Sequence, residues 1–317
     1  MKFTAYRLKP KTPLHLGERE GWWVGSEVYI HSDTLFSAFC HAHLLLYGRK
    51  SLEEVLKMFL EGTTPFLISS AFPYEEDLYY FPLPKNCLPK SKKAKKAKFI
   101  EKRGFERLLK GEDLEEVIKS SKTIPPQDPY KFEDVPRVAL NRLNNHPGED
   151  FFYFGQVMYR KEAGLFFLVE LKERDFQKRF EGTLNLMADE GIGGDRSAGK
   201  GHFEKPERIS PFDLDLPSLG DGILNLSLYY PPPEERGNLK SGFYELLERR
   251  GYIYSPYGQS LRRRTVRMFE EGSVFPANGL RKGHLVDITP EIFKIYHPVY
   301  RYGFLFRISC KLRVEKE

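Results

Sequence analysis

Cysteine is scarce: Cys40, Cys87 and Cys310 are the only three in 317 residues, far apart and without a CxxC pair. That spacing excludes a disulfide framework, offers no cysteine-rich zinc site and fits the reducing cytosol. No stretch reaches the roughly 18 apolar residues of a membrane span. The opening MKFTAYRLKPKTPLHL has no signal-peptide core, so a soluble cytoplasmic chain without membrane contact is expected. Charge of one sign is missing too. Fifty Lys and Arg against 44 Asp and Glu leave a formal charge of +6, which permits nucleic acid as a partner without demanding it. Catalytic spacing is also absent: no segment pairs acids with bases or presents an activated nucleophile. Cys40, His41 and His43 are the densest metal-like trio, but on a helix Cys40 and His43 face differently from His41, so a metal would need distant ligands. No catalytic residue, metal or cofactor is expected.

Glycine, by contrast, is concentrated. Residues 191–201, GIGGDRSAGKG, place Gly191, Gly193, Gly194, Gly199 and Gly201 around Arg196, Ser197 and Lys200. Such a cluster can bring several backbone N–H groups together as an anion-binding nest. Gly194, Gly199 and Lys200 match the spacing of a nucleotide-binding P-loop, but Gly201 stands where a magnesium-binding Ser or Thr is required. The following HFEKPER is too short and proline-limited for the capping helix, so ATP is a poor fit. The dinucleotide fingerprint fails at Arg196, where a third glycine belongs. A flexible turn is the alternative reading.

The 40% hydrophobic and 14% aromatic content supports two cores. Residues 2–9 read as a strand, and Pro10, Pro13 and Gly17 lead to a loop with Trp22 and Trp23. A helix over 34–47 is capped by Ser32 or Asp33, buries Leu35, Phe36, Phe39, His43 and Leu46, and ends at Gly48; a second covers 52–60. Residues 66–70 and 78–81 are strand material. KSKKAKKAK at 90–98 reads as an exposed segment, helical only if its charge is neutralised. Prolines 125, 126, 129, 136 and 147 predict an irregular excursion, closed by paired strands over 151–159 and 165–171. Phe176, Phe180, Leu184 and Met187 mark the inner face of a helix feeding the glycine run. Residues 203–217 read as a linker, 222–230 as a strand, 243–247 as a short helix and 304–308 as a closing strand. The reading is α+β, with β-α-β-β order in both halves, and two domains, 1–205 and 206–317. The first carries a lysine-rich insertion at 85–122 and a hairpin excursion at 124–160.

Nucleic-acid binding needs cations for phosphates and exposed planar or apolar groups for unstacked bases. Arg137, Asn141, Arg142, Asn144 and Asn145 lie in the excursion. As a protruding hairpin it would wedge an apolar tip between bases while its arginines grip the backbone; as an ordinary long loop it would do neither. Phe151, Phe152, Tyr153 and Phe154 are expected in core packing. His31 with Asp33 suits an acid–base pair, but helix capping is the commoner use. His15 and His202 are surface candidates for a phosphate or base contact.

Three segments carry a family resemblance. PLHLGEREGWWVGSEVYIHSDTLFSAFCHA at 13–42, GIGGDRSAGKGHF at 191–203, and GSVFP at 272–276 with HPVYRYGFLFRI at 297–308 resemble RAMP proteins of CRISPR effectors, specifically the fourth-subunit family of type III-A, or Csm, complexes. The stretch around Lys90 is least family-like and reads as a local insertion. The resemblance implies two ferredoxin-like, RRM-like domains with a protruding β-hairpin and a glycine-rich loop. It implies a non-catalytic scaffold that binds the repeat-derived 5′ handle of CRISPR RNA and joins the large polymerase and nuclease subunit to the adjacent backbone RAMP subunit. The glycine run, with Arg196, Ser197, Lys200 and His202, would contact the handle beside His15; His31, Ser32 and Ser37 would line the same groove; Arg137, Asn141 and Arg142 would belong to the hairpin separating handle from guide. Two alternatives stay open: a metal-independent RNA-processing RAMP endoribonuclease using His15, His31 and His202, and a protein-only scaffold meeting an acidic partner.

Overall fold

The computed structural model describes residues 2–17, 26–126, 128–140, 143, 147–239, 241–257, 260–277 and 282–312. Trp22 and Trp23 lie outside them. The alternating burial of β1 (Lys2–Leu8) places it in a sheet with one face inward. Helix α1 (Ser32–Leu60) packs Leu35, Phe36, Phe39 and Phe59 against that sheet and breaks at Gly48, whose φ of +79° leaves the helical region. Leu46, expected inside, is exposed, because the buried stripe runs through Phe39, Ala42 and His43 instead.

The chain continues through β2 (Phe66–Ile68), β3 (Phe72–Glu75) and β4 (Leu78–Pro82), then α2 (Lys92–Lys96), β5 (Phe99–Glu101), α3 (Lys102–Leu109), α4 (Leu114–Ser120) and β6 (Thr123–Ile124). The lysine-rich stretch is therefore helical rather than an open loop. Ser91 caps α2 by accepting the Ala94 N–H, Ala94 and Ala97 are buried, and Glu115 of α4 accepts the Lys90 and Ser91 N–H groups. After it come β7 (Tyr130–Leu140), β8 (Pro147–Tyr159), β9 (Ala163–Leu171), α5 (Gln177–Glu190) and β10 (Glu207–Asp213). Phe180, Leu184 and Met187 form the inner face of α5 and Phe176, just before it, is also buried, as their spacing predicts.

The main sheet runs β10-β1-β9-β3-β4-β5-β6, with β2 also paired to β9. Its core is a β-α-β-β-α-β path, β1-α1-β3-β9-α5-β10, in which β9 inserts antiparallel between β1 and β3. Two expectations change here. The 151–159 and 165–171 strands do not pair with each other: β9 is buried on both faces and sits centrally, whereas β8 pairs with β7 as a separate two-stranded hairpin. The predicted linker contains β10, an edge strand on β1, where Pro211 is tolerated because an edge can forgo a ladder hydrogen bond.

The second half holds β11 (Gly222–Asn225), β12 (Leu246–Arg249), β13 (Val266–Phe269), β14 (Val274–Pro276), β15 (Gly283–Asp287), β16 (Tyr300–Phe304) and β17 (Arg307–Cys310). They form a β14-β11-β17 sheet and the pairs β12-β13 and β15-β16. The expected helix at 243–247 overlaps β12, and among the described residues this half has 3₁₀ turns but no α-helix, so the β-α-β-β order is not repeated. The halves share a core: Phe3 meets Phe306 at 5.8 Å, Phe36 meets Tyr302 at 5.0 Å, and the Tyr302 hydroxyl accepts the Ile68 N–H at 3.1 Å. No helix is long and apolar enough to cross a membrane among the described residues.

Candidate functional site

The glycine run leaves α5 and lies along residues 13–16. Gly194 N–H donates to the His15 carbonyl at 2.8 Å, and Gly201 N–H to the Pro13 carbonyl at 2.9 Å. Gly193 has φ +99°, and a Cβ there would lie 2.4 Å from the His15 carbonyl oxygen; at Gly201, φ +74°, it would lie 2.2 Å from that of Ile192. Close backbone approach is what these glycines permit. Part of the expected display of amides is used within the protein: the N–H groups of Gly191, Ile192, Gly194, Ala198, Gly199, Lys200 and Gly201 all donate internally. Ser197 and Gly199 form the exposed crest.

The hairpin is fastened to this run along its length, from Gln156 near its base to Arg137 toward the outer end of β7. Arg137 of β7 pairs with Asp195 at 2.5 Å and lies over the Phe154 ring at 4.1 Å. Lys200 Nζ donates to Gln156 of β8. His15 is buried rather than on the surface; its Nδ1–H donates to the Gly155 carbonyl at 2.7 Å and its ring packs on Phe154 at 4.1 Å. His202, half-buried, donates from Nδ1 to the Asp189 carbonyl at 2.6 Å. Phe132, near the base, and Val138, Leu140, Phe151 and Tyr153, toward the outer end, are exposed, and Leu143 is 96% exposed. Only Phe154 of the expected core aromatics is fully buried, because the hairpin stands outside the main sheet and turns one side toward the body. Asn141, Arg142, Asn144 and Asn145 lie outside the described residues.

At the start of α1, Ser32 and Asp33 are buried and cap nothing. The Ser32 hydroxyl accepts the Leu228 N–H at 2.9 Å, which removes it from any surface groove. Asp33 is gripped by Arg249, whose Nε and Nη2 donate at 3.0 Å each, and by Arg301. Burial opposes its charge, yet these two guanidinium groups hold its carboxyl well below the usual range. His31 pairs not with Asp33 but with Glu271 at 2.9 Å and Glu27 at 3.2 Å. Burial disfavours its imidazolium, but the Glu271 and Glu27 carboxylates outweigh that and hold it up at about 10. Arg249, Glu271 and Arg301, distant in sequence, carry no local signal of this role.

The run, the α1 start and the second half enclose a cavity of about 250 Å³, lined in part by His31, Ser37, Gly193, Arg196, Arg249 and Arg301. It joins the expected glycine run and α1 start, but not His202 or the hairpin. Cys40 and His41 face a neighbouring cavity together, whereas His43 bonds to Thr183 and Ser51, so the metal-like trio divides differently than expected. No three metal-ligating groups come together among the described residues.

The RAMP superfamily matches residues 7–204, and the CRISPR Csm4 C-terminal domain matches residues 219–309. The chain is 28% identical to the "CRISPR system Cms protein Csm4" of Thermococcus onnurineus, over 98% of each. It is similar in fold to a chain of the Csm3-Csm4 subcomplex of the type III-A CRISPR-Cas interference complex, with a TM-score of 0.66 and 20% identity over 98% of this chain and 99% of that one. It is also similar to a chain of the Csm1-Csm4 cassette in complex with AMPPNP, with a TM-score of 0.64 and 23% identity over 99% and 100%.

Proposed function

The chain belongs to the RAMP superfamily and carries a Csm4-type C-terminal domain, and from that premise we propose that it is the non-catalytic, RNA-binding subunit of a type III-A CRISPR complex. In this role it holds the 5′ handle of CRISPR RNA and joins the large polymerase and nuclease subunit to the adjacent backbone RAMP subunit, as the pairing of Csm4 with Csm1 and with Csm3 in the similar structures suggests. The β10-β1-β9-β3 sheet with α1 and α5 supports a ferredoxin-like N-terminal domain.

One observation carries the reading: Arg137–Asp195 and Lys200–Gln156 lock the glycine run to one side of a hairpin that exposes Phe151, Tyr153 and Leu143. Cations that grip phosphates and apolar groups that separate bases are thereby held in one register, which suits a scaffold that positions a single strand. The locking also explains how Arg137 contributes. Already neutralised by Asp195, it acts as a strut, leaving for phosphate Arg196 and the charge of Lys200, which its bond to the neutral Gln156 amide does not cancel. Catalysis by His31 is disfavoured, because an imidazole held protonated between two carboxylates is no general base near neutral pH.

Changing Arg196 and Lys200 together to alanine is expected to weaken handle binding and to flatten its salt dependence by about 1.4 in log–log slope, the single-strand value for two phosphate contacts. An unchanged slope in a folded variant removes the run from the RNA path. No RNA binding by the native chain in its complex would favour the protein-only scaffold.

A further inference from the structure

The 250 Å³ cavity has more cation than its own carboxylates can satisfy. Glu27 and Asp33 line it against His31, Arg196, Arg249, Arg263 and Arg301. Glu27 is taken by His31, and Asp33 by the fork of Arg249. Arg301 shares that same Asp33 and donates to the Arg250 carbonyl, yet its buried Nε finds no partner. Arg263, only partly buried, donates from Nε to the Tyr252 carbonyl at 2.7 Å and feels the Asp33 carboxylate without an ion pair to it. Burial, with Arg301 beside it, pushes the Arg263 guanidinium down to about 10. Buried cations in surplus destabilise a fold unless an anion completes them.

Across a wall formed by Ser37, His41, Tyr254 and Arg263 lies a second cavity of about 410 Å³. Its lining is of the opposite character, with Phe36, Leu44, Leu52, Leu56 and Tyr257. Two imidazoles border it. Burial, then Arg196 and Arg263, push His41 down to about 4, so it is neutral and can both donate and accept. His297 faces the Ser255 hydroxyl through Nε2 at 2.7 Å. The dividing Tyr254 ring carries Arg196 at 4.7 Å on one side and meets His41 at 5.0 Å. Inorganic phosphate would leave the apolar chamber unused, and an apolar molecule would leave the arginines unmatched. A nucleotide uses both.

We propose that these adjoining cavities hold one everted nucleotide of the bound RNA, its phosphate against Arg263 and Arg301 and its base in the apolar chamber beside His41. The inference rests on the RNA-binding reading above and adds to it a specific seat. Unstacked bases of single-stranded RNA are commonly received by such apolar and aromatic surfaces.

The test uses the full chain, in its copurified complex, with handle RNAs that each carry 2-aminopurine at one position. One position is expected to change fluorescence strongly. Leu44→Trp, which fills the chamber, should abolish that signal and weaken binding of the same RNA by about fivefold or more, the loss of one received base. Arg263→Met should weaken binding of the same RNA by about tenfold or more and leave a folded protein, read by its thermal midpoint. RNA that binds normally with no position-specific signal, or a signal that survives Leu44→Trp, overturns the seat and leaves the RNA-binding reading standing. Free AMP that displaces the signal without displacing RNA reassigns the chamber to a free nucleotide and overturns the inference. Absence of RNA binding overturns both readings.

Discussion

Two regions of this molecule invert the usual distribution of polarity, in opposite directions. At the junction of the halves, charge goes inside: Asp33 between Arg249 and Arg301, and His31 between Glu27 and Glu271, are buried. On the hairpin, apolar groups go outside: Phe132, Leu140, Phe151 and Tyr153 are exposed. The difference lies in where each finds its partner. The junction supplies most of its own counter-charges, drawn from three distant stretches of chain, and so fixes how the second half sits on α1. The hairpin is fastened along one side, through Arg137, Lys200, the His15–Gly155 bond and the Leu14–Val157 bridge. Its exposed apolar side chains fit a surface completed by assembly.

Cutting the junction at its single shared carboxylate gives the largest expected effect. Asp33→Asn keeps the shape but leaves Arg249 and Arg301 buried without their counter-ion, and one-sided removal of a buried pair costs about 3–5 kcal/mol. Urea unfolding measures it. A cost below about 1 kcal/mol would show that the junction is solvated like a surface and would break the contrast.

The His31 pairing makes a second prediction about the same region. Its folded value of about 10 lies above the ordinary 6.5. The contribution is therefore fully present below pH 6.5 and is lost as pH rises through about 10. Stability should fall across that alkaline window, and His31→Gln should flatten the decline while lowering stability at neutral pH. A decline of equal slope in the variant assigns the titration to another group.

The glycine run joins the regions, and two substitutions there separate crowding from strain. Gly193→Ala would bring a Cβ against the His15 carbonyl at φ +99°, whereas Gly199→Ala meets nothing within 4 Å at φ +81°. Positive-φ strain alone costs about 1 kcal/mol, so thermal unfolding should show Gly193→Ala as the more harmful. Equal losses would mean that close packing on residues 13–16 is not what the glycine serves.

Local periodicity accounts for what the sequence reveals. The face of α5, the break at Gly48 and the strands β1, β2, β4, β8 and β9 are legible because each rests on neighbours within one or two turns. Strand partners are not: nothing local tells β8 to pair with β7 and β9 to enter between β1 and β3. The helix expected at 243–247 fails for a related reason, since the pairing of β12 with β13 overrides a short helical pattern. For the site, the glycine run and the α1 start are both found at one cavity, but its counter-charges Arg249, Glu271 and Arg301 come from folding alone. Ser32 and Asp33 look like caps because their residue types cap helices so often; here the long-range partners Leu228 and Arg249 have claimed them.

The smallest expected effect on stability falls on the hairpin, and that smallness is its diagnostic. Phe151 and Tyr153 lie on one strand with ring centroids 5.3 Å apart, opposite Val138 and Arg137's neighbour Pro136. Changing both to serine removes an exposed edge-on ring pair and two cross-strand contacts, worth together about 1 kcal/mol or less. The folded chain should therefore survive. If the hairpin sets the register between handle and guide, the same variant in the complex should shift the positions at which bound RNA is protected from chemical probing while retaining most of its affinity. Loss of stability by several kcal/mol would instead mean that these rings are core in disguise, and the two regions would no longer differ in where their partners lie.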